Sequence, residues 1–155
     1  VTLFLRFLPS LIILFIFLTD RLSKEWIQNR MRLGDSIPIL SFFSLSYVKN
    51  TGIAFGVGQN RNDIFTLIAI VILILLVILL RYWEYTKTGN LKHKISLALI
   101  IGGAVGNIYD RIAYGNVIDF LDFYVGTTHW PSFNVADTSI CLGAALLAFS
   151  SWNKK

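Results

Sequence analysis

Charge, cysteine, histidine and internal repetition are all scarce in this chain, and each scarcity removes a class of protein. Only 15% of its 155 residues are Asp, Glu, Lys or Arg, while 55% are apolar and 14% aromatic, a balance that no soluble domain of this size sustains. The chain reads as integral to a membrane. Its one cysteine, Cys141, lies inside an apolar segment and is expected to be a small buried hydrophobe rather than a nucleophile. The two histidines, His93 and His129, fall in different polar segments, so no metal site and no cofactor is expected. No basic patch interleaves with aromatics; the formal charge of +5 is assigned to anionic lipid and not to nucleic acid. No span spacing or motif recurs, which argues against a duplicated transporter. The stretch Leu18-Thr19-Asp20-Arg21-Leu22-Ser23 lacks a small-x-small cleavage pattern, so the first apolar segment is expected to be retained.

What is present is four apolar segments. Ile64 to Leu80 runs for 17 residues interrupted only by Thr66, which at about 1.5 Å per residue covers most of a roughly 30 Å hydrocarbon core. Leu3 to Leu18 is broken only by Arg6, Pro9 and Ser10, and an arginine near a helix end can snorkel to the headgroups. Ile95 to Ala113 and Val135 to Trp152 are rich in Gly, Ala and Ser, the composition of helices that pack on other helices. The expected architecture is an all-α membrane protein, a four-transmembrane-helix bundle in one integral domain over 1–155, with spans at about 3–20, 62–82, 95–113 and 135–152. Two polar segments join them on one side, an outer loop at 21–61 and a second loop at 114–134.

Lysine and arginine orient this bundle. Arg6, Arg81, Lys87, Lys92, Lys94, Lys154 and Lys155 lie on one side and an equal number elsewhere, so density decides: the linker 81–94 carries four cations, whereas the long loop spreads six over about 40 residues. Both termini are then cytoplasmic, and both polar loops face outward.

The outer loop has its own pattern. From Leu22 through Trp26 and Asn29 to Leu33 the spacing is helical, so the first helix is expected to project beyond the bilayer until Gly34 stops it. Phe43, Leu45 and Tyr47 then alternate with Ser44 and Ser46, as in a half-buried strand, and Lys49-Asn50-Thr51-Gly52 reads as a turn. A small sheet on the membrane surface follows, its apolar face continued by Ile53, Ala54, Phe55 and Val57. Asp20 and Lys24, four apart, can pair on the projecting helix, with a solvated ion pair as the plain alternative.

Two aspartates carry the chemistry. Asp119 and Asp137 bracket the last polar loop, each where an apolar segment begins or ends. Residues flanking a loop between consecutive spans share one face of the bilayer, so these carboxyls can meet although 18 positions separate them. Carboxylates at such depth are costly and default to a functional reading. A buried pair can share one proton and supply a base and an acid for amide hydrolysis. Asp110, beside Arg111, and Asp122, expected to meet water, are weaker candidates. Arg111 is expected to hold loop carbonyls or a neighbouring helix rather than transfer protons.

Four blocks in order resemble one family: Asp20 with Lys24; Asn50-Thr51-Gly52-Ile53-Ala54-Phe55; Gly106-Asn107-Ile108-Tyr109-Asp110-Arg111 followed by Gly115, Val117, Asp119 and Phe120; and Phe133-Asn134-Val135-Ala136-Asp137-Thr138. The sequence resembles bacterial lipoprotein signal peptidase (signal peptidase II), an aspartic endopeptidase of the cytoplasmic membrane. The resemblance implies Asp119 and Asp137 as catalytic residues, with Asn107, Arg111 and Asn134 shaping the site. Asp20, Lys24, Asn50, Gly52, Ala54 and Phe55 would support the cavity or contact substrate. It also implies a small extracytoplasmic β-sheet cradle and substrates that are prolipoproteins cut before a diacylglyceryl-modified cysteine; membrane lipid is expected as a further partner, and the protein is expected to be a monomer. Ile53 stands where many members carry a smaller residue. Glycines Gly102, Gly103 and Gly106 would lower the wall for an entering signal helix, against the plainer reading of helix packing. A proton- or cation-coupled carrier is the rival from a different class, disfavoured because the aspartates sit at span edges. An assembly scaffold leaves them unexplained.

Overall fold

A computed structural model of the protein describes residues 2–52 and 58–152. Its elements in chain order are α1 (Thr2–Arg30), β1 (Ser36–Leu40), β2 (Phe43–Asn50), α2 (Asn62–Thr86), α3 (Leu91–Tyr114), β3 (Val117–Val125), β4 (Thr128–His129) and α4 (Val135–Trp152). Two of the helices, α2 and α3, are long and apolar enough to cross a membrane, and α4 is a shorter apolar helix.

α1 is 29 residues long, about 43 Å at 1.5 Å per residue, and so exceeds a roughly 30 Å hydrocarbon core. It ends at Arg30, four residues before Gly34, whose φ of 90° turns the chain. Gly34 N–H then donates to Tyr47 O, and Tyr47 N–H to Asp35 O, which starts the hairpin β1–β2. α3 ends at Gly115 (φ 72°), whose N–H closes on Arg111 O at 3.1 Å. Only a residue tolerant of the left-handed region fits there without strain, and the turn delivers the chain directly into β3.

The polar segment 114–134, expected as a loop, contains two strands. β3 joins β2 in a single four-stranded antiparallel sheet ordered β1-β2-β3-β4. Its register sets Val48 opposite Asp119 and Asn50 opposite Val117, with a bulge between Leu45 and Val48. Ile27 of α1 and Met31 just beyond its end pack with Tyr47, Ile118 and Phe120 to form the core that seats this sheet on the bundle. A second core, Leu80, Leu97 and Ile101, joins α2 to α3.

Other expectations need correcting. Ser44 and Ser46 are buried, not solvated: both hydroxyls donate to Asp122, which is itself buried and not in water. Asp122 also meets His129 Nδ1 at 2.9 Å. Cys141 is exposed, because its face of α4 points away from α3. Asp20 and Lys24 do pair, at 2.7 Å, but neither side chain has any exposure. The three glycines of α3 are filled by their own neighbours: a Cβ on Gly102 would meet Ile16, on Gly103 Ala136 and Ser139, and on Gly106 the Asp20 carboxyl. Plain packing accounts for them. Ile53, Ala54, Phe55 and Val57 lie outside the described residues.

Candidate active site

The first turn of α4 organises the site. Asn134 precedes the helix; its Oδ1 accepts from Asp137 N–H at 2.9 Å, while Asp137 Oδ2 accepts from Asn134 N–H at 3.3 Å. This reciprocal arrangement satisfies two amides at a helix start. A third, Ala136 N–H, donates to Asp20 Oδ1 of α1 at 2.9 Å. Asp137 is thereby fixed at the positive end of a helix dipole, where a carboxylate is favoured.

Asp119 arrives from β3. Its Oδ1 accepts from Asn134 Nδ2 at 2.8 Å and its Oδ2 from Asn50 Nδ2 at 3.0 Å. Asn134 thus touches both carboxyls, through its side chain at one and its backbone at the other. Asn107 of α3 completes the frame, donating from Nδ2 to Asp137 Oδ1 at 2.7 Å. Its Oδ1 accepts from Lys24 Nζ at 3.1 Å and Asn134 Nδ2 at 3.3 Å. Because an ammonium can only donate, Lys24 fixes which way the Asn107 amide points.

Behind this frame lies a buried ion cluster. Lys24 Nζ pairs with Asp20 at 2.7 Å and Asp110 at 2.9 Å, and Arg21 with Asp110 at 2.5 Å. Two cations and two carboxylates leave it neutral, the condition under which buried charge is tolerable. The guanidinium of Arg21 also lies over the Tyr109 ring, 4.6 Å from its centroid.

Asp119 and Asp137 open onto one cavity of about 1020 Å³, lined also by Asn50, Asn107, Arg111, Gln59 and the segment from His129 to Phe133. Arg111 forms part of its wall and donates to Gly52 O at 3.0 Å, the carbonyl-holding role expected of it. Burial, and then the charge of Asp137, push the Asp119 carboxyl up to about 7, against the amides of Asn50 and Asn134 and the charge of Lys24. A carboxyl so placed holds or yields a proton near neutrality, as acid and base work requires.

The structure therefore brings together Asp119, Asp137, Asn50, Asn107 and Asn134 by direct hydrogen bonds. Asp20 and Lys24 stand one layer behind, Arg111 stands at the wall, and Gly52 is buried beside it, accepting from its guanidinium; Ala54 and Phe55 are outside the described residues. Sequence reasoning missed Gln59, which no motif marks. It also left Asp110 as a rival when its spacing of three from Asn107 and four from Gly106 already put it on the face of α3 turned to α1.

A family model for signal peptidase (SPase) II matches residues 12–153. The chain belongs to the signal peptidase II family. As a member it is a peptidase, a hydrolase. It is 41% identical to the lipoprotein signal peptidase of Shewanella piezotolerans strain WP3, over 91% of this chain and 84% of that one. It is 42% identical to the lipoprotein signal peptidase of Yersinia enterocolitica, over 87% and 80%. Among solved structures, a bacterial membrane enzyme determined by the in meso method at 2.3 Å resolution superposes with a TM-score of 0.83 at 33% identity, covering 95% of this chain and 91% of the other. Among the described residues, this signal peptidase II fold thus combines four helices with a small antiparallel sheet.

Proposed function

We propose that this protein removes the signal peptide from diacylglyceryl-modified prolipoproteins, cutting immediately before the lipid-bearing cysteine, with Asp119 and Asp137 as its catalytic pair. The observation that carries this reading is Asn134, one residue hydrogen-bonded to both carboxyls at the wall of one cavity. The pair holds one proton between its two members. The ionised carboxyl takes a proton from water as the water oxygen attacks the scissile carbonyl; the protonated one gives its proton to the carbonyl oxygen. The resulting gem-diol collapses as one carboxyl protonates the departing nitrogen and the other recovers a hydroxyl proton. The C–N bond breaks, and the pair again holds one proton. No covalent enzyme intermediate arises.

The four helices form one integral domain of four spans in the bacterial inner membrane. Both termini are cytoplasmic, the site faces outward and the enzyme works as a monomer. Asp137 lies in the first turn of α4 and Asp119 just beyond the end of α3, so both are at one end of the bundle. There a signal helix can enter from the side while acyl chains stay in lipid. Arg111, Asn50 and Gly52, with Ala54 and Phe55, line or support the substrate path.

The test is cleavage of a purified lipid-modified precursor. Asp119→Asn and Asp137→Asn are each expected to fold and to lose at least about 10³-fold in rate; full cleavage by either refutes the pair.

A further inference from the structure

Asn50 is itself held, and the directions of its hydrogen bonds can be read without ambiguity. Gly52 N–H, a pure donor, reaches Asn50 Oδ1 at 3.0 Å. The oxygen of that amide therefore faces Gly52, and its nitrogen is left to donate to Asp119 Oδ2. A second donor reaches the same oxygen: Gln59 Nε2, at 3.3 Å. The Gln59 amide is oriented by the same logic, since its Oε1 accepts from Thr51 N–H at 3.2 Å and from Thr51 Oγ1 at 2.5 Å. Thr51 Oγ1 in turn accepts from Asn60 N–H at 2.9 Å. Two amides thus run in series from the turn before α2 to the Asp119 carboxyl, each with one permitted orientation. Gln59 is exposed and lines the cavity, so no core packing explains its place.

We infer that Gln59 is a positioning residue for Asp119: it fills the second lone pair of Asn50 Oδ1 and so locks the Asn50 amide in the orientation that donates to the carboxyl. This rests on Asp119 being catalytic, as proposed above. A serial arrangement polarises each amide through the next. Removing the far member loosens the near one while leaving the Asp119 carboxylate, Asp137, Lys24 and Arg111 around it unchanged.

The experiment uses the full chain in detergent micelles with a lipid-modified precursor, comparing Gln59→Leu, which removes both contacts, with Gln59→Glu. The glutamate keeps the acceptor for Thr51 but puts a charged acceptor where the donor to Asn50 stood, so a loss shared with the uncharged leucine is the reading that isolates the missing donor. Both variants are expected to lower kcat about 3- to 10-fold with KM within about twofold. Both should also move the pH limb of kcat upward, because the Asn50 N–H favours the ionised carboxyl. In an Asn50→Ala background, followed by single-turnover assay, either Gln59 substitution should change the rate by less than about twofold. Unchanged kcat, a rise in KM alone, or an equal loss in the Asn50→Ala background each overturns the inference. Asp119→Asn is run alongside. If it cleaves, the catalytic reading itself fails; if it is inert while the Gln59 variants match wild type, only the role of Gln59 fails.

Discussion

α2 and α3 follow one another in the chain, and both are long and apolar enough to span a bilayer, yet they divide the work completely. Of the most apolar stretch of α2 only 6% is buried within the protein; of α3, 56%. α2 turns leucine, isoleucine and valine outward and buries only Leu80. α3 turns glycine, Asn107 and Asp110 inward, between α1 and α4. In a bilayer the apolar helix is the one facing lipid, and the more polar helix is the one that must be enclosed, because hydrocarbon cannot satisfy an amide or a carboxylate. The strongest hydropathy in the chain thus marks the helix with the least chemistry.

Three substitutions can break this contrast. The largest effect is expected at Asp110→Ala in α3, which leaves Arg21 and Lys24 with Asp20 alone; a loss of about 3 to 5 kcal/mol follows from an uncompensated buried charge. Thermal unfolding in micelles would measure it, and a loss below about 1 kcal/mol would show that the cluster is hydrated.

The second concerns the sheet beside α3. Because the folded pKa of Asp119 is raised from 3.8 to about 7, the folded state binds more protons than the unfolded between those values. Its contribution is present below about pH 4 and is lost as pH rises to about 7. Asp119→Asn does not titrate, so its stability relative to wild type should improve by about 2 to 4 kcal/mol between pH 4 and pH 8, at about 1.4 kcal/mol per unit. A pH-independent difference in unfolding temperature would count against the buried carboxyl.

The smallest is expected in α2. Leu75→Ala removes an exposed side chain and should cost under about 0.5 kcal/mol with full cleavage. A loss comparable to that of Asp110→Ala would mean that α2 has an apolar protein partner.

The two helices also differ in how readily the sequence disclosed them. An apolar run interrupted only by Thr66 identifies α2 without help, and the family blocks pointed to the residues around Asp119 and Asp137. β3 stayed hidden because both its faces are covered: residues 117–120 are all buried, and Asp119 and Asp122, three apart, point to opposite sides. No period-two alternation survives such an environment. Ser44 and Ser46 misled for a related reason, since the partner that makes their burial tolerable, Asp122, lies 78 and 76 positions away. The Asp20–Lys24 pair was visible as a spacing, but its complete enclosure depends on α3 and α4 closing over α1. Gln59 was illegible because its meaning lies entirely in whom it touches.

The frame of amides draws from nearly the whole length of the polypeptide: Asn50 precedes Asp119 by 69 positions, and Asp20 reaches Ala136 across 116. On the proposed reading of Asp119 and Asp137, the site therefore cannot assemble until α4 has joined the other three helices, because Asn134 and Ala136 at its start close the frame.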